Sequence, residues 1–185
     1  FVKDGPVMEN VSRGDEVDMG KFPAPRWHEK DGGRYLGTGD AAITADPEGG
    51  SVNMGAYRVM TLDRDRVFLY ISPGKHGRVH RDNFFARNEP MPAVIVLGSE
   101  PIIHLAASTS VPQHVCELDY AGGLRGEPVE VIRGPVTGLP IPAHAEIAIE
   151  GYAMPNERLP EGPFGEWTGY YASGVRDEPV FRVKA

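Results

Sequence analysis

The sequence predicts one α+β domain over residues 1–185, dominated by β-strands and arranged as a split β-barrel or half-barrel with a few peripheral helices. A chain of 185 residues suffices for one compact domain with a sizeable core. Its 23 Gly and 17 Pro residues are spread throughout, as in turn-rich β structure. Short apolar segments recur along the chain and no linker divides it, which favours a single β-rich core.

The first half of the chain predicts short strands and one hairpin. Residues 1–50 are polar and broken by Gly and Pro, so we expect loops and short strands there. The sequence DPEGG at 46–50 predicts a turn. The apolar segments 57–62 and 66–72 flank the charged sequence DRDR, which predicts a β-hairpin.

Two helices are predicted in the middle of the chain. Residues 80–89 have helical spacing, and the helix should stop before Pro90. A second helix is expected at 99–108, with Ser99 as its N-cap and Pro101 in its first turn.

The rest of the chain predicts one more helix and three strands. Residues 114–124 indicate a short helix that ends at Gly122 and Gly123. Continuous or alternating apolar patterns predict strands at 92–98, 127–134 and 145–154.

Composition excludes several classes of function. The net charge of −7 argues against a general nucleic-acid or membrane-surface role, and no apolar run approaches the length of a membrane span. Cys116 is the only cysteine, which excludes an internal disulfide and a Cys-rich metal site and suits a reducing cytoplasm. No signal peptide is recognisable, and the start at Phe1 suggests a piece of a longer protein.

The sequence EGPFGEWTGYY contains two glutamates, Glu161 and Glu166, that are candidates for proton chemistry. Two neighbouring carboxylates can keep one of them protonated near neutral pH, because like charges and burial raise a carboxyl pKa. A solvated loop is the alternative, since Glu is usually exposed. The aromatic flank of Trp167, Tyr170 and Tyr171 favours a pocket.

The sequence SVNMGAYR places Asn53 and Arg58 at the entrance to a predicted strand. Gly55 between them permits a ligand to approach the backbone closely. An Asn amide oxygen can bind a metal ion, and an Arg side chain matches a carboxylate or phosphate. The alternative is an Asn in a turn and an Arg on a strand edge.

Two further stretches carry candidate polar ligands. Lys75, His76 and His80 follow a strand in SPGKHGRVH, where a basic hairpin loop is the alternative to a phosphate or metal site. Glu117 lies in a predicted helix, where a solvated face is the usual interpretation. A mixed set of nitrogen and oxygen ligands would favour Mg²⁺ or Mn²⁺ over a zinc–thiolate site.

Together and in this order, these stretches resemble the UbiD family of decarboxylases, which use prenylated FMN. The resemblance extends from about residue 30 to residue 175. It rests on the sequences NMGAYR, KH, the AAS that precedes Glu117, YAGGLRGEPVEV, PAHAEIAIEG and EGPFGEWTGYY.

The resemblance implies roles for individual residues. Asn53, His76 and Glu117 would hold a Mn²⁺ ion that bridges to the cofactor phosphate. Arg58, Glu161 and Glu166 would form the family's Glu-Arg-Glu network, with Glu166 as the proton donor. The implied cofactor-contacting residues are Asn53, Met54, Gly55, Ala56, Tyr57, Arg58, Lys75, His76 and Glu117. Many family members also bind K⁺, here near the backbone of residues 106–109.

The resemblance also implies the setting in which the chain works. The family fold for this region is a flavin-binding split β-barrel, and family chains add N- and C-terminal regions that are absent here. The implied reaction is reversible, non-oxidative decarboxylation of an aromatic, heteroaromatic or α,β-unsaturated acid. A flavin prenyltransferase would supply the cofactor, and the full-length enzyme would be a homo-oligomer. The alternatives are an isolated flavin-binding domain without activity and a split-barrel FMN reductase.

Overall fold

The computed structural model describes residues 1–49 and 51–185 and is built mainly of antiparallel β-strands. The strands are β1 (Arg34–Gly37), β2 (Asp40–Ala45), β3 (Val52–Gly55), β4 (Arg58–Thr61), β5 (Arg66–Tyr70), β6 (Met91–Leu97), β7 (Val131–Arg133), β8 (Pro140–Pro142), β9 (Ile147–Glu161) and β10 (Arg176–Val183). The α-helices are α1 (His76–Ala86), α2 (Pro101–Ala107) and α3 (Glu117–Arg125).

Eight strands form one curled sheet in the order β1-β4-β5-β10-β9-β6-β2-β3. Strand β9 is 15 residues long and pairs with both β6 and β10, so it holds the two halves of the sheet together. One core packs inside the curl around residues such as Val59 and Phe181, and another packs between the sheet and helices α2 and α3 around Ile43 and Ile103. The β-dominated half-barrel with few helices is therefore confirmed.

Several elements agree with the sequence predictions. Strands β4 and β5 form the expected hairpin, and β6 occupies the predicted buried strand. Helix α2 carries Pro101 in its first turn, although its N-cap is Glu100 and not Ser99. The turn predicted at 46–50 is present up to Gly49, while Gly50 lies outside the described residues.

Four predicted boundaries are wrong, and one of them is the strand expected at 145–154, which is β9 and continues to Glu161. The helix expected at 80–89 begins at His76 and ends at Ala86. Helix α3 continues past the two glycines to Arg125 and is capped by Gly126, whose φ of 84° suits a left-handed C-cap. The strand expected at 127–134 is reduced to β7, which pairs with β8 in a separate small sheet.

Among the described residues, no helix has both the length and the apolar character needed to cross a membrane.

Asp40, the first residue of β2, is a buried carboxyl group that the sequence did not single out. Its side chain is 1% exposed, and neither carboxyl oxygen has a hydrogen-bond partner among the described residues. Burial raises the pKa of Asp40 from 3.8 to about 8, so the group is protonated at neutral pH.

Replacing Asp40 with Asn is expected to weaken the pH dependence of stability. The unfolded chain loses this proton near pH 3.8, whereas the folded chain keeps it up to about pH 8. The free energy of unfolding therefore falls as the pH rises between these values, by at most about 1.4 kcal/mol per pH unit. In urea unfolding, Asp40→Asn should gain on the order of 3 kcal/mol over the wild type between about pH 5 and pH 8.

The exposed aspartate Asp177 provides a matched control for this experiment. Asp177→Asn should follow the wild type at both pH values, because an exposed carboxylate has little effect on stability. The same difference between Asp40→Asn and the wild type at both pH values would contradict the buried, protonated state of Asp40.

Candidate functional site

A cleft of about 720 Å³ opens where the end of β3, the start of α1 and the start of α3 meet. This volume lies within the range of roughly 300–1,000 Å³ that is usual for ligand sites. Its walls come from four stretches that are distant in sequence, namely Asn53–Tyr57, Pro73–His76, Ala107–Val111 and Glu117, and from Trp167.

A second cleft, of about 1000 Å³, lies between α3 and the β7–β8 hairpin. It is lined mainly by glycines and aliphatic side chains, and none of the site residues predicted from the sequence belongs to its lining. The first cleft is the stronger candidate for a functional site because it gathers buried polar side chains with glycines.

The end of β3 and the loop that follows it form one wall of the cleft. Asn53 and Met54 are buried, and the Tyr57 ring folds back over Gly55. A Cβ atom at Gly55 would overlap that ring, so this close approach requires glycine. The predicted cofactor-contacting stretch from Asn53 to Tyr57 therefore lines one wall of the cleft.

Helix α1 directs its N-terminus at the cleft. Lys75 is the N-cap, its side chain makes no capping hydrogen bond, and His76 is the first helical residue. Gly74 before it has a φ of 84°, a conformation that glycine adopts without strain. The free amide groups and the partial positive charge of a helix N-terminus favour an anion such as phosphate.

Glu117 is buried at the first position of α3 and does not face solvent. One of its carboxylate oxygens accepts a hydrogen bond of 2.7 Å from the backbone N–H of Met54. Burial raises the pKa of Glu117, while the Met54 amide and the nearby His76 oppose that rise. The usual interpretation of a helical glutamate, a solvated face, is thus wrong here.

Asn53, His76 and Glu117, which the resemblance implies as metal ligands, all line this cleft. Within residues 1–49 and 51–185, no three His, Cys, Asp or Glu side chains form a group that could hold a metal ion. The implied set contains only two residues of those types and draws its third ligand from an amide, so that finding leaves the set open.

Arg58 and Glu161 form a buried ion pair next to the cleft, although neither belongs to its lining. The Arg58 Nε and Nη2 groups donate to the two oxygens of Glu161 at 3.0 and 2.6 Å. The Tyr35 hydroxyl donates to Glu161 Oε1 at 3.2 Å. The Arg58 guanidinium also stacks on the Tyr70 ring at 4.2 Å, so the pair is held from several sides.

The two side chains that donate to Glu161, Arg58 and Tyr35, both have raised pKa values. Burial alone would lower the pKa of Arg58, but the hydrogen bonds and charge of Glu161 raise it above its ordinary value. Burial and then the Glu161 charge raise the pKa of Tyr35. Both groups therefore stay protonated at physiological pH and keep donating to the Glu161 carboxylate.

Glu166 is half-buried and forms no ion pair with Arg58. Its side chain makes no ion pair or hydrogen bond with the described residues, and its backbone N–H donates to the Tyr170 carbonyl at 2.8 Å. The structure thus joins two members of the predicted Glu-Arg-Glu network and leaves the third free. Trp167 beside it is 92% exposed at the rim of the cleft, so the pocket that the aromatic flank predicts is open on this side.

The loop that carries Glu166 is anchored by a residue that the sequence did not single out. The buried Asp31 accepts hydrogen bonds from the backbone N–H of Gly165 at 2.7 Å and from that of His28 at 2.8 Å. The sequence HEKDGGRY reads as an exposed turn, and only the tertiary contact with Gly165 reveals this role.

A family model described as "UbiD: 3-octaprenyl-4-hydroxybenzoate carboxy-lyase Rift-related domain" matches residues 1–185. Pyrrole-2-carboxylic acid decarboxylase of Pseudomonas aeruginosa is 39% identical over 181 residues, which cover 98% of this chain and 36% of that protein. Phenolic acid decarboxylase of Streptomyces sp. (strain D7) is 35% identical over 188 residues, which cover 98% of this chain and 39% of that protein.

Two solved structures resemble the chain closely. An evolved dimeric form of the UbiD-class enzyme HmfF from Pelotomaculum thermopropionicum, in complex with prFMN, aligns with a TM-score of 0.91 at 32% identity, over 97% of this chain and 41% of that one. Vanillic acid decarboxylase of Sedimentibacter hydroxybenzoicus in its closed form aligns with a TM-score of 0.89 at 33% identity, over 97% and 39%.

The chain therefore spans about two fifths of the length of the proteins that it matches. The agreement in fold confirms the flavin-binding type of half-barrel. Because the family model covers every residue of the chain and the relatives match nearly all of it, the chain belongs to the UbiD family.

Proposed function

We propose that this chain is the cofactor-binding domain of a prenylated-FMN-dependent decarboxylase acting on an aromatic, heteroaromatic or α,β-unsaturated carboxylic acid. One observation carries the proposal: the buried Arg58–Glu161 pair lies next to a cleft that gathers Asn53, His76 and Glu117. The names of the curated relatives, which include two decarboxylases of aromatic acids, support the reaction class.

The residues of the cleft fit a flavin phosphate with a divalent metal ion. Glycines and the exposed N-terminus of α1 leave room for an anion, and Lys75 adds a positive charge at the rim. An amide oxygen, an imidazole and a carboxylate suit Mn²⁺. We assign Asn53, His76 and Glu117 as its ligands, and the backbone of residues 106–109 to K⁺.

The catalytic work of the chain would be divided among three side chains. When bound, prenylated FMN supplies the electron sink for the electrons of the breaking C–CO₂ bond. Arg58 donates two N–H groups to Glu161, and its remaining N–H groups would orient the substrate carboxylate. Glu161 fixes Arg58, and Glu166 donates the proton that replaces CO₂ on carbon.

The wider setting belongs to the same proposal. Trp167, Tyr170 and Tyr171 offer flat apolar surface that suits a planar acid. The rest of the substrate pocket would come from regions outside the chain, as would the contacts of a homo-oligomer. A flavin prenyltransferase would supply the cofactor, and the enzyme would work in the cytoplasm.

Glu117→Ala tests the metal and cofactor assignment. We expect the purified enzyme to lose most of its Mn²⁺ and to retain flavin poorly, because the variant removes a charged ligand and a hydrogen-bond acceptor for Met54. Metal analysis and flavin absorbance measure both quantities. The matched control is Asp119→Ala, an exposed acid on the same helix, which should leave them unchanged. Full Mn²⁺ and flavin content in Glu117→Ala would refute the assignment.

A further inference from the structure

The Asn53 side chain is held by two hydroxyl groups. Its Nδ2 atom lies 3.4 Å from Thr44 Oγ1 and 3.4 Å from the Tyr57 hydroxyl, and the side chain is buried. An amide NH₂ group has only donors and its oxygen only accepts. With the nitrogen placed between these two oxygens, the Oδ1 atom is left for another partner.

Thr44 belongs to a longer polar chain that continues into helix α1. Its Oγ1 atom lies 3.0 Å from Nδ1 of His80, and Nε2 of His80 lies 3.3 Å from Ser51 Oγ. Thr44 and His80 have no exposed surface. Burial lowers the pKa of His80, so its ring is neutral and one nitrogen can accept a hydrogen bond.

We place the proton of the neutral His80 ring on Nε2, and the remaining hydrogen-bond directions then follow from these contacts. Thr44 accepts from Asn53 Nδ2, so its single hydroxyl proton is free to go to His80 Nδ1. The Nε2 proton of His80 is donated to Ser51 Oγ. If the Asn53 amide were turned over, its oxygen would face Thr44 Oγ1, whose proton is already committed to His80.

The fold places these hydrogen-bonded side chains beside the proposed metal ligands. Thr44 and Asn53 are register partners on the paired strands β2 and β3. His80 lies one turn after His76 on α1, so both histidines lie on the same side of that helix. A Cβ atom at Gly77 would lie 3.3 Å from Asn53 Nδ2, so the helix approaches Asn53 closely.

We propose that Thr44 and His80 are positioning residues that fix the Asn53 amide with its oxygen directed to the metal ion. This inference rests on the proposed function, because the orientation of the amide matters for metal binding only if Asn53 is a metal ligand. Hydrogen bonds of this kind orient metal ligands, and removing them typically lowers metal affinity about 10- to 100-fold.

The experiment compares Mn²⁺ binding in variants of the flavin-free protein by electron paramagnetic resonance. Thr44→Val keeps the side-chain shape but loses the hydroxyl, and it should weaken Mn²⁺ binding about 10-fold or more. Thr44→Ser restores the hydroxyl and should bind within about 3-fold of the wild type. Thr61→Val removes a hydroxyl that donates a hydrogen bond to the Arg34 carbonyl outside the cleft, and this variant should bind Mn²⁺ like the wild type.

A purely structural role for Thr44 predicts a different pattern. In that case Thr44→Val would unfold at a lower temperature yet bind Mn²⁺ with unchanged affinity, and this result would overturn the inference while the proposed function stands. Failure of Thr44→Ser to restore binding would overturn it as well.

A second readout does not depend on the metal. In metal-free wild-type protein, nuclear Overhauser contacts are expected from the Asn53 NH₂ protons to the side chains of Thr44 and Tyr57, and their absence would overturn the inference. If the wild type shows these contacts but binds no Mn²⁺, the metal assignment of the proposed function fails, and the purpose that we give to the orientation fails with it.

Discussion

Glu166→Gln is expected to reduce decarboxylation by about 100-fold or more while the enzyme keeps its flavin and metal. The amide has nearly the shape of the acid but cannot donate a proton to carbon, and general acid catalysis typically contributes about 10²- to 10⁴-fold. Glu166 lies in the loop that Asp31 anchors through Gly165, and its side chain makes no hydrogen bond with the described residues. The substitution should therefore not disturb the fold.

The measurement is the rate of CO₂ release in the full enzyme, with flavin absorbance and Mn²⁺ content determined on the same sample. The exposed Glu89 offers a control, because Glu89→Gln makes the same chemical change away from the cleft and should keep the wild-type rate. Turnover of Glu166→Gln near the wild-type rate would eliminate Glu166 as the proton donor.

Arg58→Met is expected to lower the free energy of unfolding by about 3–5 kcal/mol and to abolish turnover. The variant leaves the Glu161 carboxylate buried with the Tyr35 hydroxyl but without its guanidinium partner. Breaking a buried ion pair from one side carries a cost of this size because the remaining charge is uncompensated. Urea unfolding and CO₂ release measure the two effects.

Two further variants test whether the loss of stability comes from the unpaired charge of Glu161 and from its burial. Adding Glu161→Leu to Arg58→Met should recover much of the lost stability, since no buried charge then remains, but no activity. Arg87→Met breaks the exposed pair with Glu48 and should cost less than about 1 kcal/mol. A similarly small loss for Arg58→Met would mean that the Arg58–Glu161 pair is not buried in solution.

Local sequence signals located the β4–β5 hairpin and helix α2. The charged DRDR turn between apolar segments was enough to place the β4–β5 hairpin, because strand pairing across a short turn is a local event. Pro101 placed helix α2 for a similar reason, since proline is tolerated only in the first turn. Both predictions needed no knowledge of distant residues.

The missed elements depend on tertiary contacts. Helix α1 starts with His76 and Gly77, which are weak helix formers, and Gly77 is needed because α1 packs closely against Tyr57 and Asn53. Strand β10 was not predicted because it contains charged residues and Pro179. Its pairing with β9 shifts register between Pro179 and Phe181, which lets the sheet accept the proline.

The candidate site divides in the same way. The family resemblance named every residue of the proposed metal set, and the structure places that set in one cleft. The supporting residues Tyr35, Thr44 and His80 form no sequence pattern, because each acts through a partner that is distant in the chain. Sequence reasoning could therefore name the proposed ligands but not the contacts that hold them.

The most direct test of the central claim compares two cofactors in the full enzyme. The enzyme is loaded with Mn²⁺ and either prenylated FMN or FMN, and CO₂ release is followed with a panel that includes pyrrole-2-carboxylate and hydroxybenzoates. Our account predicts CO₂ release from at least one acid with prenylated FMN and none with FMN. No CO₂ release with prenylated FMN, together with NAD(P)H-dependent reduction of bound FMN, would contradict it.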